Sequence, residues 1–225
     1  MRKLRKYAGF ILGVGGVLLA TVIICVCAFA GGGKTVYFKA AYYFVCYKMT
    51  DNATSASSLS GAAKDFGGAG YILEYGGLYY ITVSCYYQEN DAKEVCNSLK
   101  NKDLNCSVLE VKTKSHRLKG VDAKKNSELF LGNFNTLNSI SSLAYECANR
   151  LDTGEYDQTK AKEIFKSVKS GLSGLLTSNP NNPFTEKLNY LLAECDDKEK
   201  GFIYSGDLRY IQIAIIDCII NIKIN

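Results

Sequence analysis

The chain opens on an uncharged apolar run, Ala8 to Ala30, behind the cluster Met1-Arg2-Lys3-Leu4-Arg5-Lys6. As a helix rising about 1.5 Å per residue, its 23 residues reach about 35 Å, enough to cross a hydrocarbon core of about 30 Å. Basic residues beside one end of a span favour the cytoplasmic side, which predicts a cytoplasmic N-terminus and an extracytoplasmic remainder. A cleaved signal peptide is the rival reading, since Ala28-Phe29-Ala30 has the small-x-small form of a cleavage site. The run is, however, longer than the usual apolar region of about 7–15 residues. A lipoprotein reading meets Ile24 and Val26 ahead of Cys25 and Cys27, where a small residue is needed. Gly31-Gly32-Gly33 reads as a flexible exit from the bilayer. Residues 28–35 also fit a relaxed phosphate-loop pattern, but that loop works only between a strand and a helix. Here an apolar run precedes it and a Tyr-rich stretch follows, so no nucleotide site is expected.

Between 34 and 111 the period switches repeatedly between strand and helix. Thr35 to Tyr47 is rich in Val, Tyr and Phe, a β-type composition. Ala53 to Phe66 reads as a weak helix ended by Gly67-Gly68-Ala69-Gly70. Tyr71 to Tyr75 and Leu78 to Tyr86 read as strands joined by the two-residue turn Gly76-Gly77. Period-two alternation in the second strand puts Tyr79, Ile81, Val83 and Cys85 on one face and Tyr80, Thr82 and Ser84 on the other. Glu89 to Lys102 is a helix whose Ala92, Val95, Cys96 and Leu99 define a buried stripe, and Ser107 to Val111 is a last strand. The order is β-α-β-β-α-β, the split βαβ of ferredoxin-like folds, in which two helices cover one sheet face and the other stays open.

A basic stretch, 113–127, reads as a solvated linker, with attraction to anionic lipid or wall polymer as the sharper alternative. The rest is helical in period. Leu129 to Leu151 and Asp157 to Thr177 carry apolar stripes, and Pro183 opens a third helix lined by Phe184, Leu188, Leu191, Leu192 and Cys195. Leu208 to Ile224 is apolar almost all round. Arg209, Gln212, Asp217, Asn221 and Lys223 argue against a second span and for a central helix of a small bundle, with a strand as the alternative.

Charge changes this picture little. Of the 27 basic residues four precede the apolar run, leaving 23 against 22 acidic, and nothing argues for nucleic acid. Seven of the nine cysteines lie beyond the run, an odd number, and they fall at apolar positions of periodic segments as small buried hydrophobes do. With one histidine, His116, and no Cys-x-x-Cys, no metal site is expected, nor any other cofactor. The same scarcity leaves no catalytic constellation: Asp196-Asp197 are adjacent on a helix and do not face each other, so no enzyme is expected.

The strand Tyr79-Tyr80-Ile81-Thr82-Val83-Ser84-Cys85 and the following turn and helix, Tyr86 to Lys100, resemble the SPOR (sporulation-related repeat) domain of membrane proteins in low-GC Gram-positive bacteria. Gly67-Gly68-Ala69-Gly70-Tyr71-Ile72 is similar to the middle turn of some members. The resemblance covers about 34–112; either Tyr37-Phe38-Lys39 or Tyr43-Phe44-Val45 sets the register of the leading strand. It implies an α+β protein with a transmembrane anchor (1–33), a ferredoxin-like SPOR-type domain (34–112), the basic linker and a helical C-terminal domain (128–225). It further implies a membrane-anchored accessory protein of sporulation or cell division that binds peptidoglycan glycan strands through the open sheet face. Tyr71, Tyr80, Thr82 and Ser84 would be the glycan-binding residues. The alternative is an extracytoplasmic scaffold whose C-terminal helices recruit a protein partner.

Overall fold

The computed structural model describes residues 33–36, 40–113, 116–119, 123–178 and 184–221. The expected anchor, the alternative cleavage site at Ala28-Phe29-Ala30, Cys25 and Cys27 lie outside these residues. Among the described residues no helix is long and apolar enough to cross a membrane.

The chain is α+β. Its elements run β1 (Gly33–Val36), β2 (Ala41–Thr50), α1 (Ala53–Asp65), β3 (Tyr71–Tyr75), β4 (Leu78–Tyr86), α2 (Glu89–Lys100), β5 (Ser107–Lys112) and β6 (His116–Lys119). Four helices follow: α3 (Ala123–Asp152), α4 (Gln158–Ser178), α5 (Thr185–Glu199) and α6 (Ser205–Ile220). Strands β2 to β5 form one antiparallel sheet in the order β3-β4-β2-β5. That order interleaves two β-α-β units, as the sequence pattern predicts. Local chemistry fixes the elements. Asn52 caps α1 by accepting from the Ser55 amide at 2.9 Å. Tyr75 opposes Leu78 across a two-residue turn, with Gly76 and Gly77 at φ 61° and 79°, the backbone that glycine adopts without strain.

Two expectations change. The stretch Thr35 to Tyr47 is two strands, and Gly33 belongs to the first of them rather than to a loose exit. The stretch read as a solvated linker contains β6, which pairs antiparallel with β1 in the register Gly33↔Lys119 to Val36↔His116. Backbone pairing holds that segment, and its charged side chains gave no sign of it.

The larger change concerns the sheet. Its first face packs on α1 and α2 through Val45, Ile81, Val83, Ala56, Ala63, Ala92 and Cys96. The second face, expected to be open, is covered by α3 and α6. Tyr42, Phe44, Cys46, Leu73 and Val111 are fully buried there, in one core with Phe134, Leu137, Ala144, Ile211, Ile215 and Cys218. The apolar stripes of the C-terminal helices therefore close on the sheet as well as on each other. α6 is the central buried helix the pattern favours: Leu208, Ile211, Ile213, Ile215 and Ile216 have no exposed surface. α4 and α5 form the outer layer: α4 packs on α3, and α5 packs on α4 and α6.

Candidate functional site

The four residues expected to read glycan sit along β3 and β4, and the helical layer meets the sheet where Tyr71, Tyr80 and Thr82 lie. Thr82 and Ser84 are buried, while Tyr71 and Tyr80 are half-buried and pack against the shared core. Thr82 donates its hydroxyl to the Tyr71 carbonyl at 2.9 Å. Tyr71 donates its phenol to Asp217 of α6 at 2.9 Å and meets the Tyr210 ring edge-on at 5.1 Å. Lys187 and Asn221 also reach the Asp217 carboxylate, at 3.4 and 2.5 Å. Burial pushes the Tyr71 phenol well above the usual tyrosine range, and the Asp217 charge pushes it further. This is a clasp between an edge strand and a helix, with both polar groups already partnered.

Ser84 does not share a face with Tyr80 and Thr82. Along β2 and β4, Phe44 opposes Cys85, Val45 opposes Ser84 and Cys46 opposes Thr82, so Val83 is an extra residue on β4. This bulge reverses the alternation. Directly opposed residues share a face, so Ser84 lies beside Val45, on the side of α2. Cys85 joins Phe44 in the core under α3 and α6. The expected core positions Tyr79, Ile81 and Val83 keep their face; Cys85 changes sides.

Polar contacts hold the rest of this interface. Tyr42 donates to the Asn138 side-chain carbonyl at 2.9 Å, and the Tyr87 and Ser141 hydroxyls are 2.6 Å apart. Burial raises the Tyr87 phenol to about 12. Gln212, fully buried in α6, donates to the Cys85 carbonyl at 3.0 Å. The polar residues that break the apolar last helix were visible in the sequence; that Gln212 and Asp217 face the sheet was not.

Sequence reasoning missed a second feature, at the junction of α5 and α6. Phe202 and Tyr204 are 58 % and 63 % exposed, with ring centroids 4.9 Å apart, while Ile203 between them is buried. In extended backbone, residues two apart project to the same side. Gln158, opening α4, clamps the segment from behind: it donates to the Ile203 carbonyl at 2.8 Å and accepts from the Ile203 amide at 3.0 Å. Tyr204 also donates its amide to Asp207 at 3.1 Å, and Asp207 is held by Lys198. Two large aromatic side chains are thus presented on a backbone fixed at both ends. A shallow concavity of about 510 Å³ runs along α4 from Gln158 past Lys162 to Lys166.

Cys96 and Cys106 are disulfide-bonded, tying α2 to the approach of β5. Cys46, Cys85, Cys147, Cys195 and Cys218 are buried thiols, as small core hydrophobes are. Among the described residues no group of His, Cys, Asp or Glu is arranged to hold a metal ion. No family model matches the chain, and neither a curated protein nor a solved structure matches it.

Proposed function

We propose that the chain is a membrane-tethered, extracytoplasmic scaffold, a non-catalytic protein that recruits a protein partner through its C-terminal helices. The observation that carries this reading is the fixed aromatic pair Phe202 and Tyr204, held by Gln158 and exposed to solvent. Binding hot spots are enriched in aromatic side chains, and a rigid presentation lowers the ordering cost of association. The tether is the run Ala8 to Ala30 with its preceding basic cluster. The Cys96–Cys106 disulfide suits an oxidising compartment outside the cytoplasm.

Peptidoglycan binding by a SPOR-type, ferredoxin-like domain is the second reading. The interleaved strand order β3-β4-β2-β5 favours it. Against it stands the buried second sheet face: a pyranose ring cannot stack on Thr82 or Phe44 while α3 and α6 occupy that surface.

A photo-crosslinking amino acid at position 202 of the full chain, with position 163 as control, separates the readings. The scaffold reading expects a discrete protein adduct at 202, weakened by Tyr204→Ser and absent at 163. An adduct that is glycan, released only by digestion of the sacculus, would transfer the function to wall binding. No adduct at 202 would sink the scaffold reading.

A further inference from the structure

The chain enters its fold through a two-stranded ribbon. β1 pairs with β6 from Gly33↔Lys119 to Val36↔His116, and β2 pairs with β5 from Ala41↔Lys112 onward. Between the ladders the Ala40 amide donates to the Thr113 hydroxyl, and the Thr113 amide donates to the Ala40 carbonyl, each at 3.0 Å. The described pairs thus join the same two chain segments antiparallel at both ladders, Gly33–Val36 with His116–Lys119 and Ala40 onward with Thr113 and Lys112. The paired strands 33–36 and 116–119 contain Lys34, Arg117 and Lys119 and no acidic residue, while Lys112 of β5 is ion-paired with Glu110 at 3.1 Å.

Pairing changes what these charges can do. In a loose linker Lys119 would be far along the chain from the apolar run. In the ribbon it stands opposite Gly33, and Arg117 opposite Thr35. Gly33 lies three residues beyond Ala30, the end of the apolar run. Three residues span at most about 11 Å, comparable with the screening length of about 8 Å at physiological salt. The far end of the ribbon is thus brought back to the place where the chain would leave the bilayer.

We infer that the basic ribbon docks on anionic lipid headgroups of the leaflet from which the chain emerges, fixing the folded unit against the membrane surface. The inference rests on the membrane-tether reading above. Each cation close to an anionic surface adds attraction that salt screens. A wall polymer offers the same charge, but the short distance from Ala30 to Gly33 favours the lipid.

The test uses the full chain in nanodiscs of phosphatidylcholine with and without phosphatidylglycerol. Hydrogen exchange is followed in 8–30 and in the two ribbon stretches. A ligand that binds only the folded ribbon slows its opening, so exchange in 33–36 and 116–119 should be about fivefold slower or more with phosphatidylglycerol. High salt should remove the difference, Arg117→Glu with Lys119→Glu should abolish it, and Arg117→Lys with Lys119→Arg should keep it. Protection of 8–30 in both discs with equal ribbon exchange overturns the ribbon inference alone. Exchange of 8–30 as fast as in a denatured control overturns the tether reading, and this inference with it. Protection induced by soluble polyphosphate but not by phosphatidylglycerol overturns the lipid assignment in favour of a wall polymer.

Discussion

The Tyr71 phenol donates to the Asp217 carboxylate at 2.9 Å, fastening the edge strand β3 to the last helix across 146 residues of chain. Lys187 and Asn221 share the same carboxylate, so Asp217 keeps partners when Tyr71 is lost. Tyr71→Phe preserves the ring and its contact with Tyr210 and removes one charge-assisted hydrogen bond. The expected loss is about 1–2 kcal/mol, at the lower end for a bond to a charged group. In a chain of this size that lowers the melting temperature by roughly 2–8 °C. Thermal unfolding of the two proteins side by side measures it, and an unchanged melting temperature would show that the clasp contributes nothing.

The shared core makes a stronger prediction. Residues 34–112 contain the whole four-stranded sheet, yet Tyr42, Phe44, Leu73 and Val111 are buried against helices that follow it. Exposing a large apolar side chain loses about 1.5–3 kcal/mol. Four such losses approach the whole stability margin of a domain, about 5–15 kcal/mol. The isolated 34–112 fragment should therefore aggregate or lack a cooperative unfolding transition, whereas a chain from 33 to 225 should show one. A soluble, cooperatively folded fragment would return the sheet face to solvent and revive the glycan-reading surface.

The parts of this fold that were legible in the sequence are the locally encoded ones. Gly76-Gly77 announces its hairpin, the stripe Ala92, Cys96 and Leu99 its helix, and the first half of β4 its alternation. Three parts were hidden for physical reasons. At Val83 both faces of the sheet are buried, and Thr82 and Ser84 on either side imitate one polar face, so a strict period of two carries the reader past the bulge. The covering of the second face was hidden because Tyr42 and Tyr87 look like exposed sheet aromatics until their hydroxyls find Asn138 and Ser141. The β1–β6 ribbon has neither alternation nor apolar residues enough to stand out, and its basic side chains imitate a tether.

The Cys96–Cys106 disulfide closes a short loop, with ten residues of sequence separation, between α2 and β5. In the loop-entropy account a crosslink of that span stabilises by about 2–3 kcal/mol. The double variant Cys96→Ser with Cys106→Ser should lose that amount in denaturant unfolding without reductant, and adding reductant should bring the parent chain to the same midpoint. Alkylation of the denatured, unreduced chain followed by peptide mass spectrometry should leave these two cysteines unmodified and label Cys46, Cys85, Cys147, Cys195 and Cys218. Labelling of Cys96 or Cys106 would contradict the pairing.

Gly70 is held in the left-handed region at φ 62°, where an added Cβ would come within 2.6 Å of the Ser60 carbonyl oxygen and the Lys64 Cγ. Gly76 has nearly the same backbone, φ 61°, with nothing around it. Gly76→Ala should cost about 1–2 kcal/mol for the backbone alone. Gly70→Ala adds a collision with main chain and should cost about 3 kcal/mol or more. Equal losses at the two sites, read from denaturant midpoints, would mean that the loop between α1 and β3 yields where this close packing says it cannot.

Buried neutral acids along the sheet set the alkaline limit of the fold. Burial raises the Tyr87 phenol and the Cys46 and Cys218 thiols to about 12, and holds Tyr42, Tyr71 and Cys85 well above their ordinary ranges. In the unfolded chain a thiol titrates near ~8.5 and a tyrosine near ~10. Above those values the unfolded state has released protons that the folded state still holds, so stability falls as pH rises. The contribution is complete below about pH 8 and drains away from about pH 8.5 through about pH 12. The urea midpoint should fall steadily over that window. Tyrosinate absorbance should show Tyr42, Tyr71 and Tyr87 ionising only as the chain unfolds. Tyr87→Phe should make the decline shallower, because one of the protons held by the native state is gone. A midpoint that stays level from about pH 9 to about pH 11 would mean that water reaches these hydroxyls and thiols in the folded protein.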